Sequence, residues 1–195
     1  MIIKNWKKDI LTIPNLLSLF RLLLIPVYTI IYLKASIPAH YYLAGGILAL
    51  SCLTDLLDGK IARKFHMIST VGKILDPLAD KITQFTLILC LSIRFPLLWV
   101  VAALFVLKES FQLVAGAITL KKGKMLYGAL FEGKLCTVIL FLSLIVMVLF
   151  PQIGDLTVTI IAAVDGLFLS VSFAAYLYTY SHSSNMIQKL DADPQ

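Results

Sequence analysis

Charge is scarce in this chain. Only 14% of its 195 residues are charged, against 59% hydrophobic, and the mean hydropathy is +0.91. Soluble domains carry about 25% charged and roughly 45–50% apolar residues. A water-soluble fold of this length could not hide so much apolar surface, so lipid is the expected solvent for most of it. Cysteine is also rare. Cys52, Cys90 and Cys136 stand singly inside apolar runs, with no CxxC or Cys/His spacing. This excludes a zinc or disulfide framework and leaves the three as small buried hydrophobes. No small-residue cleavage site follows the lysine-bearing start, and the apolar run after it is about twenty residues long, so it is expected to be a retained first span and not a secretory leader. The net charge of +6 does not signal nucleic acid, because the lysines and arginines collect at the ends of apolar runs, where membrane topology puts them.

What is abundant is long apolar sequence. Six runs, at 13–33, 40–62, 72–94, 97–120, 134–151 and 157–180, approach the roughly 20 residues that a bilayer-spanning helix needs. None shows the strict alternation of a barrel strand, and helices satisfy their own backbone in lipid. The expected fold is all-α, a six-helix membrane bundle. Residues 1–11, with Trp6 among Lys4, Lys7 and Lys8, are expected to form a short interfacial amphipathic segment or a basic terminus. Residues 12–182 form the membrane domain, and 183–195 a polar, mobile tail. One set of loops holds Lys60, Arg63, Lys64 and Lys73, then Lys121, Lys122, Lys124 and Lys134, while the opposite set holds Lys34, Arg94 and little else. The positive-inside rule then places both termini in the cytoplasm of a multi-pass plasma-membrane protein.

Eleven residues are acidic, and four of these fall at the ends of two apolar runs. Asp55 and Asp58 are three apart, and Asp76 and Asp80 four apart, so each pair shares one helical face. A carboxylate at membrane depth is costly unless paired or bound to metal. If the second and third spans pack as a hairpin, the pairs converge near the cytoplasmic surface. Two Mg²⁺ or Mn²⁺ ions would relieve the repulsion, since hard cations take oxygen ligands, and such a pair of ions is suited to gripping a diphosphate. Gly59, Ala62 and Gly72 let a ligand approach the backbone, and Arg63 suits a phosphate oxygen. A cation or proton pathway is the reading of another class; it would not need the small residues and the arginine at these offsets.

Asp55-Leu56-Leu57-Asp58-Gly59-Lys60-Ile61-Ala62-Arg63, eight residues, and Gly72-Lys73-Ile74-Leu75-Asp76-Pro77-Leu78-Ala79-Asp80 together match DxxDGxxAR(x8)GxxxDxxxD, and the chain is thereby identified as a member of the CDP-alcohol phosphatidyltransferases. No position of the signature is missing. The resemblance implies a six-helix membrane core and phospholipid synthesis, in which a phosphatidyl group passes from CDP-diacylglycerol to an alcohol and CMP leaves. It further implies that Asp55, Asp58, Asp76 and Asp80 hold two divalent cations, that Asp80 is also the general base, and that Asp55, Gly59, Ala62, Arg63 and Gly72 lie against the nucleotide and its diphosphate. A homodimer is implied by the resemblance alone.

The stretch from Thr12 to Arg21 and Gly133-Lys134 are similar to phosphatidylglycerophosphate synthases and the related cardiolipin synthases, which favours glycerol 3-phosphate as acceptor, with phosphatidylglycerol, inositol phosphate or serine as alternatives. Arg21, Lys73, Lys81, Lys108 and Lys134 are the candidate acceptor-binding residues. Asn15 either reaches the mouth of the cavity or caps the first helix. Lys108 and Glu109 either neutralise each other or line the cavity. The synthases have arginine where Lys108 stands, and a second arginine where this chain has Ala115-Gly116-Ala117. Asp165, inside the sixth span, is expected to make a structural hydrogen bond.

Overall fold

The computed structural model describes the backbone of residues 12–64, 72–121 and 130–192, and the side chains of 12, 15–54, 72, 75–118, 133 and 135–181. The candidate interfacial segment at 1–11 lies outside them. The described backbone is helical, in six elements: α1 Ile13–Leu33, α2 Pro38–Lys64, α3 Gly72–Arg94, α4 Leu98–Lys121, α5 Leu130–Leu149 and α6 Asp155–Ala192. Each coincides with one of the six apolar runs to within a few residues, save at the end of α6, where the helix continues past Tyr180 to Ala192. Residues 181–192 are polar but contain no proline or glycine, so nothing in them stops a helix that is already nucleated.

Length and apolarity together qualify Asn15–Leu33, Leu98–Ile118 and Asp155–Ser181 as membrane spans, and Leu135–Leu149 as a shorter apolar helix. α2 and α3 carry the charged motif at their ends, and it is this that dilutes them. The outer surface is apolar as well: Leu23 is 62% exposed, Leu113 73% and Leu156 75%. In water such a surface would associate; in lipid it is the expected exterior. The chain is a membrane protein.

Two compact units divide the chain: residues 1–94 with 145–152, and 95–144 with 153–195. In the first, α1 packs on both α2 and α3. α1 begins at Thr12, whose extended backbone (φ −94°, ψ 150°) and hydroxyl oxygen cap the helix by accepting from the Asn15 amide at 3.4 Å. The cap is therefore Thr12 and not Asn15, which lies inside the helix and is buried. Pro14 fits the first turn, where its missing N–H costs nothing. In α2, Gly45 meets the end of α5, and a Cβ there would lie 2.6 Å from Leu149 Cδ2, so the absent side chain permits the approach. Arg94 ends α3, donates to the Pro151 carbonyl and stands 5.2 Å from the centre of the Tyr41 ring. These contacts dispose of a cation on the sparsely charged side.

In the second unit α4 packs on α6. The buried positions of α6 are Val158, Ala162, Asp165, Leu169, Ser172 and Tyr176, the alternating four-and-three spacing of a helix seam. Phe111 meets Phe173 and Tyr180 edge-on, at 5.4 and 5.9 Å. Hydroxyls inside the helices mostly bond back to their own turn, as Thr29 does to Ile25 O at 2.8 Å and Ser92 to Ile88 O at 2.7 Å, which keeps them satisfied without water. Asp165, 1% exposed, accepts from the Ser143 hydroxyl at 2.6 Å, the structural bond expected for it. Its second oxygen has no hydrogen-bond partner. None of the three thiols is part of a disulfide.

Ser143→Ala would leave the Asp165 carboxyl without that donor. The expected loss is about 1–3 kcal/mol, the cost of a buried polar group deprived of its hydrogen bond, read as a lower unfolding temperature in detergent. Adding Asp165→Leu should restore most of it, because an apolar pair leaves nothing unsatisfied.

Candidate active site

The motif occupies the C-terminal end of α2 and the N-terminal end of α3. Asp55, Asp58, Gly59, Ala62 and Arg63 all lie on the helical backbone of α2, and their side chains are outside the described residues, as is any convergence of the two aspartate pairs. The backbone does keep Asp55 and Asp58 within one turn of each other, with Gly59 and Ala62 continuing along the helix end.

α3 supplies the second pair. Gly72 opens the helix and is buried, and Asp76 and Asp80 follow at one-turn intervals, both partly exposed. Pro77 lies between them and is exposed. It falls early in the helix, where the loss of one backbone bond is tolerated better than at the centre.

Among the described residues, two side chains of α1 meet these carboxylates. Ser18 donates to Asp76 Oδ1, and Arg21 pairs with Asp80 Oδ1. Ser18 and Arg21 are three apart on α1, Asp76 and Asp80 four apart on α3, so two neighbouring turns of one helix hold two neighbouring turns of the other. The pairing is asymmetric in burial: the Arg21 side chain is 2% exposed and that of Asp80 45%. A guanidinium buried to that degree needs an anion beside it, while the half-exposed carboxylate keeps access to whatever enters from outside. Sequence reasoning placed Arg21 in the cavity but passed over Ser18. The signal was present in its spacing, since a serine one turn before a buried arginine lies on the same face.

Among the described residues no group of three or more Asp, Glu, His or Cys is clustered to hold a metal ion; two of the four candidate aspartates are outside that set. The chemistry of the donors nevertheless fits Mg²⁺ or Mn²⁺. They are all carboxylate oxygens, and an ionised carboxylate has about four lone-pair positions, enough to meet a guanidinium or hydroxyl and a cation at once.

The candidate acceptor residues are dispersed. Lys81 follows Asp80 on α3 and is partly exposed. Lys73 lies on the first turn of α3, and Lys134 near the start of α5; their side chains are outside the described residues. Lys108 belongs to the other unit, is 3% exposed and pairs with Glu109 at 2.7 Å, so it is neutralised by its neighbour.

A family model described as CDP-alcohol phosphatidyltransferase matches residues 11–176. The chain is 37% identical over 143 residues to the Aquifex aeolicus CDP-diacylglycerol--glycerol-3-phosphate 3-phosphatidyltransferase, covering 69% of this chain and 74% of that protein. It is 36% identical over 131 residues to a Streptomyces coelicolor cardiolipin synthase (CMP-forming), covering 66% and 60% respectively. A Schizosaccharomyces pombe cardiolipin synthase (CMP-forming) / mitochondrial hydrolase fusion protein is 43% identical over 90 residues, which are 45% of this chain and 14% of the fusion.

Arg21→Met should weaken the hold of α1 on α3. With Asp80 half-exposed and able to hydrate, the expected loss is about 1–3 kcal/mol, the range for a hydrogen bond to a charged group, and not the larger penalty of a fully buried broken pair. Thermal unfolding in detergent measures it, and Arg21→Lys should recover only part, since an ammonium lacks the planar fork.

Proposed function

The chain belongs to the CDP-alcohol phosphatidyltransferase family, and on that premise we propose that it makes a phospholipid, transferring a phosphatidyl group from CDP-diacylglycerol to an alcohol and releasing CMP. The observation that carries this reading is the complete carboxylate motif across the end of α2 and the start of α3, with the second pair gripped by Ser18 and Arg21.

Asp55, Asp58, Asp76 and Asp80 are the proposed ligands of two divalent cations, Mg²⁺ or Mn²⁺. Bound there, such ions would offset the diphosphate charge and stabilise the departing nucleotide phosphate. Asp55, Gly59, Ala62, Arg63 and Gly72 form the proposed nucleotide and diphosphate face. Arg63 offers a planar donor fork to phosphate oxygens, and the small residues admit the ligand to the helix backbone. Asp80, oriented by Arg21, is the proposed general base. It takes the proton of the acceptor hydroxyl as that oxygen forms a bond to the lipid-linked phosphorus and the bond from phosphorus to the CMP oxygen breaks. Positioning by the α1 contacts matters because proton transfer requires hydrogen-bond reach.

Glycerol 3-phosphate is the proposed acceptor, with phosphatidylglycerophosphate as product. The Aquifex relative bears a name of that kind and aligns over most of both chains, and Lys73, Lys81 and Lys134 are the proposed cations for an acceptor phosphate. Lys108 pairs with Glu109 and Arg21 with Asp80. Cardiolipin synthesis with phosphatidylglycerol is the second reading, favoured by the Streptomyces relative. The chain spans 14% of the Schizosaccharomyces relative and 60% of the Streptomyces one. The proposed setting is the plasma membrane, as a homodimer, with both termini and the site facing the cytoplasm, where the basic loops cluster.

Purified protein in detergent, given CDP-diacylglycerol and Mg²⁺ or Mn²⁺, should release CMP with glycerol 3-phosphate and stop when metal is chelated. Asp80→Asn should lower the rate by about 10²–10⁴-fold, the usual contribution of a general base, and by more if the cations are also lost. Release with phosphatidylglycerol alone would replace the acceptor and leave the family chemistry in place.

A further inference from the structure

Ser18 stands between Leu17 and Leu19 in an apolar stretch of α1 and is 0% exposed. Its hydroxyl crosses to another helix and donates to Asp76 Oδ1. One turn further on, Arg21 engages Asp80 Oδ1 in the same way. The hydroxyls of Thr29, Thr83, Ser92 and Thr137 bond to carbonyls of their own helical turn, a local arrangement that needs no second helix. The Ser18 bond differs because its acceptor belongs to the proposed cation site.

That bond bears on which oxygen of Asp76 faces an ion. The donor is fully buried, while Asp76 is partly exposed. Oδ1 is therefore the oxygen held on the protein side. A carboxylate grips a cation with one oxygen or with both, and turning both toward an ion would pull Oδ1 from the Ser18 hydroxyl. The two hard cations differ in how much this matters. Ca²⁺ takes about six to eight oxygens at about 2.3–2.6 Å and readily accepts both oxygens of one carboxylate. Mg²⁺ demands a near-ideal octahedron at about 2.0–2.1 Å, into which the narrow bite of a two-oxygen grip fits poorly.

We propose that Ser18 makes Asp76 a one-oxygen ligand and so biases the site toward Mg²⁺ and against Ca²⁺. The inference rests on the cation site proposed above and deepens it. Ser18 touches neither substrate nor ion; it is a positioning residue that acts through Asp76. The hydroxyl denies Ca²⁺ a contact that the carboxylate would otherwise give, and it denies Mg²⁺ nothing that an octahedral site uses. Arg21 places the same constraint on Oδ1 of Asp80.

The test uses Mn²⁺ as the probe, its bound fraction read by electron paramagnetic resonance on the purified protein. Mg²⁺ and Ca²⁺ are titrated separately as competitors against wild type, Ser18→Ala and Ser18→Cys. The quantity read is the ratio of the Ca²⁺ to the Mg²⁺ displacement midpoint. Ser18→Ala should lower that ratio by about fivefold to tenfold, the worth of one modest polar contact. Ser18→Cys, similar in size but a weaker donor, should fall between alanine and wild type. A ratio that stays the same or rises overturns the proposal, and so does an equal shift of both midpoints, which would make Ser18 a general support of Asp76. If Ser18→Ala binds no Mn²⁺, the Ser18→Cys ratio decides by the same criterion. A wild type that binds no Mn²⁺ overturns the cation-site reading, and this one with it.

Discussion

The contact between Arg21 and Asp80 sets the terms for the rest of the first unit. Arg21 sits two turns into an apolar helix, and a cation there is tolerated only with an anion beside it. That requirement draws α1 onto the beginning of α3, and Ser18 repeats the hold one turn away on Asp76. An ion pair of this kind contributes little net stability against a well-packed apolar alternative. Its retention is better explained by what it fixes, namely the height and orientation of two carboxylates that must otherwise find their own geometry at a membrane surface. Because Asp80 is half-exposed while Arg21 is not, the pair presents its acid outward and keeps its base within.

Lipid explains the remaining architecture. α1, α4 and α6 expose leucine, valine and isoleucine freely, and Thr29, Ser170 and Thr179 bond to their own helical turns. The chain concentrates its few charges where they are needed. The motif occupies one end of α2 and α3, Lys108 is answered by Glu109, and Arg94 by a carbonyl and an aromatic face. Asp165 has Ser143 at one of its two oxygens. The partners of Lys108 and Arg94 answer a charge without water, which is the recurring requirement inside a bilayer.

Much of this was legible in the sequence. The six apolar runs became six helices because length and hydropathy decide the matter in lipid, and the motif spacing placed the aspartates on helix ends because the helical period is fixed. Three features were not legible. The cap of α1 is Thr12 and not Asn15, since an amide beside Pro14 and a threonine three residues before that amide both suit a cap until the backbone chooses where to turn. The helix past Tyr180 escaped because hydropathy marks where lipid ends, and α6 ends elsewhere. Ser18 was missed because a single serine in a leucine-rich helix ordinarily bonds to its own backbone, as Thr29 does, and only tertiary packing sets it against Asp76.

The central claim is that the carboxylates at the ends of α2 and α3 act together as a divalent-cation site that supports the proposed transfer. Counting Mn²⁺ bound to the purified protein by electron paramagnetic resonance, with and without Asp76→Asn and Asp80→Asn combined, addresses it most directly. The account predicts about two ions per wild-type chain at saturation and a loss of binding in the double variant that still folds. Binding unchanged by the substitutions, or no specific Mn²⁺ in the wild type, would contradict it.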